Sequence, residues 1–101
     1  MAMEMEKWVN GYFGVNGEVL QDISISGKFG DVWVGIAKEK DIFCVFCIYP
    51  EVYQPPFGDE FYFTREPKKA RKVFREAIDN VQDWVAEKDE YEEWLMKRAE
   101  E

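Results

Sequence analysis

The run Ile42 to Tyr49, IFCVFCIY, is apolar at every position. A strand points alternate side chains to opposite faces, so such a run must be covered on both sides. It is far too short to cross a bilayer, which takes about 20 apolar residues in a helix. The polar turn Lys38-Glu39-Lys40-Asp41 precedes it and Pro50 follows it. We read it as the central strand of a sheet, and the rest of the fold is constrained to supply a cover for each of its faces.

The flanking segments supply the neighbours. Val32 to Ala37 alternates Val32, Val34 and Ile36 with other residues, a strand period. Asn16-Gly17 lies between Trp8–Val15 and Glu18–Ser26, a type I′ hairpin signal that predicts two further strands. Gly27 to Asp31 reads as a loop. Pro50, Pro55, Pro56 and Gly58 mark a longer one, because proline offers no ladder donor. Glu60 to Thr64 reads as a short last strand.

At Pro67 the period changes. Val73, Phe74, Ala77, Ile78, Val81, Trp84 and Val85 recur at helical spacing and form one apolar stripe. Pro67 suits a first helical turn, with Thr64 or Glu66 as cap. Asp89-x-x-Glu92 resembles a capping box, so the helix is expected either to break near residue 89 or to continue to Arg98. Strands followed by a helix predict a single α+β domain over residues 1–101. Its sheet is an antiparallel meander of four to five strands, with a long C-terminal helix packed on one face.

Alternation assigns the two faces. Val9, Phe13, Val15, Val19, Ile23, Ile25, Val32, Val34 and Ile36 are expected under the helix. Trp8, Tyr12, Trp33 and Tyr62 are expected on the opposite face, together with Ser24 and Ser26. That second face reads as aromatic and polar. It fits either a homodimer interface or a platform for stacking nucleic-acid bases.

The residue inventory argues against catalysis. The chain has no histidine, hence no imidazole acid, base or triad. No phosphate-binding glycine motif occurs. The two cysteines, Cys44 and Cys47, lack the further ligands that a zinc site needs. In a strand, residues three apart face opposite ways, so the two thiols read as buried and separate rather than as a redox pair. The expectation is a non-enzymatic protein with no metal or cofactor. The N-terminal MAMEMEKW has acids where a secretion signal would carry Lys and Arg, which leads us to expect a cytoplasmic protein.

Charge is the remaining signal. There are 21 acids against 13 bases, for a net charge of −8. Such a balance disfavours loose contact with nucleic acid or anionic membrane and favours a basic partner. On a continuous helix, Glu76, Asp79, Asp83, Glu87 and Glu90 share a sector of about 80°, with successive carboxylates about 4.5–6 Å apart along the axis. A stripe with that spacing resembles the phosphates of a nucleic-acid strand. Its bland counterpart is a solvated face, neutralised by Lys72–Glu76 and Arg75–Asp79 pairs at i, i+4. Earlier in the helix, Lys68, Lys69, Arg71, Lys72 and Arg75 place positive charge at a positive helix end, a local conflict that invites a use. In the proline-marked loop, Tyr53 and Phe57 are the aromatics least explained by a core.

In size, acidity and lack of catalytic groups the chain resembles small inhibitors carried by phages and plasmids, including anti-CRISPR and anti-restriction proteins. That resemblance implies docking on a basic, nucleic-acid-binding surface of a partner protein; the stripe Glu76, Asp79, Asp83, Glu87 and Glu90 and the loop aromatics Tyr53 and Phe57 are the contacts expected from the residues themselves. Several strands followed by one helix also look like the topology of PUR-domain, Whirly and coactivator-type single-strand binders. The corresponding alternative is a single-stranded nucleic-acid module that uses Trp8, Tyr12, Trp33 and Tyr62 for stacking and Lys68, Lys69 and Lys72 for phosphates.

Overall fold

The computed structural model describes residues 18–100. Four strands form one antiparallel sheet in the order in which they occur: β1 (Glu18–Gly27), β2 (Gly30–Glu39), β3 (Ile42–Ile48) and β4 (Glu60–Thr64). A short 3-10 turn, Glu51–Tyr53, interrupts the β3–β4 connection. One helix, α1 (Pro67–Glu100), follows and packs across the sheet. The expected α+β meander with a long C-terminal helix is the observed architecture. Trp8, Tyr12 and the expected strand Trp8–Val15 lie outside the described residues.

β3 sits between β2 and β4 and is buried on both faces, as its unbroken apolar run requires. Under the helix, Ile25, Val32, Val34, Ile36, Val45 and Cys47 meet Ala70, Phe74, Val81 and Val85. On the opposite face, Ala37, Cys44 and Phe46 are buried, with Val19, Trp33, Ile48 and Phe61 packed against them. The Phe46 ring lies over Gly35 of the adjacent strand, in space that a Cβ at that position would occupy.

Two facial assignments are corrected. Val19 packs on the face away from the helix, because the β1–β2 register shifts between Val19 and Gln21. The irregularity consumes one residue and inverts the alternation for the start of β1. Tyr62 pairs with Val45 and packs on the helix side, whereas Phe61 pairs with Phe46 on the other. In β4 every position but the ends is aromatic, so alternation had no polar residue to anchor it.

The helix is continuous from Pro67 to Glu100. At its start, Thr64 Oγ1 accepts the Glu66 N–H at 3.1 Å, and the Glu66 carbonyl accepts the first helical N–H, from Ala70, at 3.0 Å. Asp89 does not cap a second helix. Its carboxylate turns toward the sheet, where Oδ1 accepts the Tyr53 hydroxyl at 2.5 Å and Oδ2 accepts the Lys28 N–H at 3.2 Å. Lys28 Nζ also pairs with Glu93. The β1–β2 connection, expected as a loop from Gly27 to Asp31, is a tight turn at Lys28-Phe29 held against the helix by these bonds.

Tyr53 is the hub of that arrangement and is fully buried. Its oxygen accepts the Phe29 N–H at 2.8 Å while donating to Asp89, and its carbonyl accepts the Trp84 indole N–H at 2.6 Å. Gly27 is required beneath it, since a Cβ there would overlap the phenol and Val85. The expectation that Tyr53 is an exposed contact is therefore corrected. Its ring fills the core, and its hydroxyl links the β1–β2 turn at Phe29 to the helix at Asp89.

Cys44 and Cys47 are free and buried on opposite faces of β3, as their spacing predicts. Burial pushes both thiols up, from an ordinary value of 9.0 to about 12. The folded state thus holds protons that the unfolded state releases above pH 9, so stability falls as pH rises through the interval from 9 to 12.

Two predictions follow from this packing. Tyr53→Phe leaves the Phe29 N–H and the Asp89 carboxylate each short of a partner. It should cost about 1–3 kcal/mol in urea unfolding; an unchanged midpoint would remove Tyr53 from its role as hub. Both thiols should resist iodoacetamide in the native protein at mildly alkaline pH and react fully in denaturant. Rapid native alkylation of either would contradict their burial.

Candidate functional site

The helix covers one face of the sheet, and the outer surface of α1 and the β3–β4 loop carry the exposed acidic stripe and Phe57. The apolar stripe of α1 ends its buried run at Val85. Beyond the half-buried Lys88, Asp89, Glu92 and Glu93, the helix leaves the sheet. At 34 residues it is about 51 Å long, against a longest molecular dimension of 55 Å. Its free end exposes Tyr91, Trp94, Leu95 and Met96. Tyr91 and Trp94 stack with centroids 6.2 Å apart, and Arg98 lies 5.0 Å from the Trp94 ring.

The acidic stripe is formed as an exposed surface. Because α1 is unbroken, Glu76, Asp79, Asp83, Glu87 and Glu90 occupy one sector, turned away from the sheet, and all five are exposed. Over those residues the stripe runs about 21 Å. The expected Lys72–Glu76 and Arg75–Asp79 pairs are not made. Among the described residues none of the five carboxylates has a cation within 4.0 Å. The basic start of the helix is likewise exposed: Lys68, Arg71, Lys72 and Arg75 border a shallow depression that meets the stripe at Glu76 and Asp79. Lys69 is exposed as well. Arg65 contacts Asp41 at 3.5 Å, but both are largely solvated, so the pair contributes little.

Beside the stripe, a cleft of about 400 Å³ opens between α1 and the β3–β4 connection. Val73, Ala77 and Val81 form its floor from the helix, Pro55 and Pro56 a wall from the loop, and Tyr49, Phe57 and Trp84 its aromatic surfaces. Phe57 is 72% exposed, the most open large apolar residue of the described chain. The loop is held by its ends. The Tyr49 N–H donates to Asp59 at 2.9 Å, the Tyr49 hydroxyl donates to Glu60, and Tyr53 anchors the middle. Burial and the hydrogen bond to Glu60 both push the Tyr49 hydroxyl far above its ordinary range, so it stays protonated. Glu76 and Asn80 complete the cleft from the helix, and Glu76 thus belongs to both stripe and cleft.

The alternative aromatic platform is not assembled as expected. Trp33 is half-buried on the face away from the helix, its indole N–H donating to Asp22 at 2.9 Å. Tyr62 is on the helix side. The two therefore cannot stack bases along one surface, and Lys68, Lys69 and Lys72 lie on the helix, away from the face of Trp33.

Sequence reasoning found Phe57 and Glu76 but not the cleft between them. Trp84 and Val81 were assigned to the core stripe, and Tyr49 to the end of a strand. The missed signal was Asp59-Glu60 following the prolines, two carboxylates at the point where the loop must return to the sheet.

Among the described residues there is no cluster of His, Cys, Asp and Glu able to hold a metal ion, and no helix long and apolar enough to cross a membrane. No family model matches the chain, and no curated protein or solved structure matches it either.

Proposed function

We propose that this chain is a non-enzymatic interaction protein that docks on a basic, nucleic-acid-binding surface of a partner protein and so acts as an inhibitor. One observation carries the reading: five exposed carboxylates share one face of a rigid helix, and no cation of the described chain neutralises them. Bases at i, i+4 that could offset the stripe occur in the sequence only for Glu76 and Asp79, and neither pair is engaged. Fixing the carboxylates on one helix also avoids the side-chain and loop ordering that a flexible acidic tail would have to undergo on binding. The net charge of −8 supplies long-range attraction to a basic groove. Tyr91, Trp94 and Leu95, near the end of the stripe, add apolar anchors of the kind that dominate interface energy.

The test is affinity capture from the native host, followed by binding measurements on the captured protein. Wild-type chain and duplex DNA should compete for it. Reversal of Asp79, Asp83 and Glu87 to Lys should weaken binding by roughly 100-fold or more, and the wild-type affinity should fall as salt rises. Unchanged affinity of the triple variant, or a ternary complex with DNA, would sink the mimicry reading.

A further inference from the structure

The cleft beside the stripe has a chemical bias that its shape alone does not convey. Its polar groups are nearly all acceptors. Glu60 and Glu76 are carboxylates. The Tyr49 hydroxyl spends its proton on Glu60, which leaves only lone pairs on the phenolic oxygen. Glu60 uses Oε1 in that bond and keeps the acceptor capacity of its second oxygen. Among the described residues Asn80 brings the one strong donor group, and no lysine or arginine lines the space.

This composition discriminates among ligands. An anion would meet two carboxylates with no cation to offset them. A neutral apolar ligand would leave the charge of both exposed carboxylates unused. A cation with an apolar stem satisfies both halves of the site: the stem lies on Val73, Ala77, Val81 and Pro55, and the charged head meets Glu60 and Glu76. The walls narrow the choice further. Tyr49, Phe57 and Trp84 line the cleft with aromatic rings, against which a planar, weakly hydrated guanidinium packs better than a compact ammonium. Of the three, the Trp84 ring already has a cation beside it, since Lys88 Nζ, which lies outside the lining, sits 5.9 Å from its centroid.

The geometry points to the cleft as a receptor for an alkylguanidinium group, namely an arginine side chain projecting from the basic partner while the stripe engages that partner's surrounding charges. This assignment rests on the docking reading above and adds a discrete anchor to it. Glu76, shared by stripe and cleft, couples the two: a partner aligned on the stripe delivers its side chain to the cleft mouth. Phe57, on the exposed loop, closes over the inserted group.

The experiment is a ¹H–¹⁵N NMR titration of the full chain with n-butylguanidinium, and with n-butylurea as the uncharged isostere. Butylguanidinium should shift the Trp84 indole, the Asn80 side-chain amide and the Ala77 amide along one saturable curve. Butylurea should bind roughly tenfold or more weakly. Glu60→Gln combined with Glu76→Gln keeps an acceptor for the Tyr49 hydroxyl while removing both charges, and should lower affinity by a similar factor. Phe57→Ala, at an exposed position, should weaken binding while leaving the dispersion of the spectrum intact. Equal responses to the two probes would reduce the cleft to an apolar hole and overturn the assignment. So would the absence of saturation, or shifts confined to Asp79, Asp83 and Glu87. Failure here is separable from failure of the docking reading. If the stripe reversal abolishes partner binding while the Glu60, Glu76 and Phe57 variants bind as wild type, the stripe stands and the arginine anchor falls. If the stripe reversal is harmless, the docking reading falls.

Discussion

The part-buried Tyr53–Asp89 hydrogen bond is the constraint on which the arrangement depends. A phenol placed in a core must satisfy its hydroxyl, and a carboxylate facing a sheet must find donors. Here each solves the other's problem, and the remaining capacity is taken by backbone groups of Phe29 and Lys28. The result joins three segments distant in sequence: the β1–β2 turn, the turn after β3 and the middle of α1. The long helix is thereby held along the sheet past the end of its apolar stripe. The β3–β4 loop is drawn against the helix, so its prolines and Phe57 form a wall rather than a free excursion. Both the stripe and the cleft presuppose this lock. A break at residue 89 would split Glu90 from the other four carboxylates, and a loose loop would leave Phe57 without a pocket to border.

The helix carries its charges in two blocks, and the order opposes the helix dipole at its start. Lys68, Lys69, Arg71, Lys72 and Arg75 precede the acids, with no acidic residue in the first turn. The two blocks sit next to one another and are still not paired within 4.0 Å among the described residues. Surface pairs of this kind contribute little to stability, so the arrangement is tolerated by the fold rather than demanded by it. The apolar side of the helix, by contrast, is demanded: Ala70, Phe74, Val81 and Val85 are needed to cover one face of β3. Function is therefore freer to shape the outer surface, and that is where charge, exposed aromatics and the cleft mouth converge.

Several features were legible from residues alone because one local rule governed each. β3 could be read from an apolar run bounded by a polar turn and a proline, and the start of α1 from Pro67 and a change of period. The separation of Cys44 from Cys47 followed from strand parity. The misreadings have equally specific causes. Val19 was assigned to the wrong face because a bulge at Leu20 changes parity without a glycine or proline to announce it. Tyr62 was misplaced because its neighbours Phe61 and Phe63 are as apolar as it is. Tyr53 appeared to be a surface aromatic because prolines flank it, and Asp89 appeared to be a cap because its partners lie 36 and 61 residues away. Of the cleft, only Phe57 and Glu76 were visible as contacts, since the other walls come from segments that sequence order keeps apart.

Sequence by itself determined the fold class, the covered central strand, the buried thiols and the acidic face of the helix. Each rests on periodicity or composition within a short window, where steric and solvation rules act on neighbours. Tertiary structure decided whether the helix continues, which aromatics are buried and whether a cleft exists beside the stripe. Those outcomes depend on satisfying a few buried polar groups across long separations. The Tyr53 hydroxyl could have met many acceptors, and only the packing of the sheet under the helix selected Asp89.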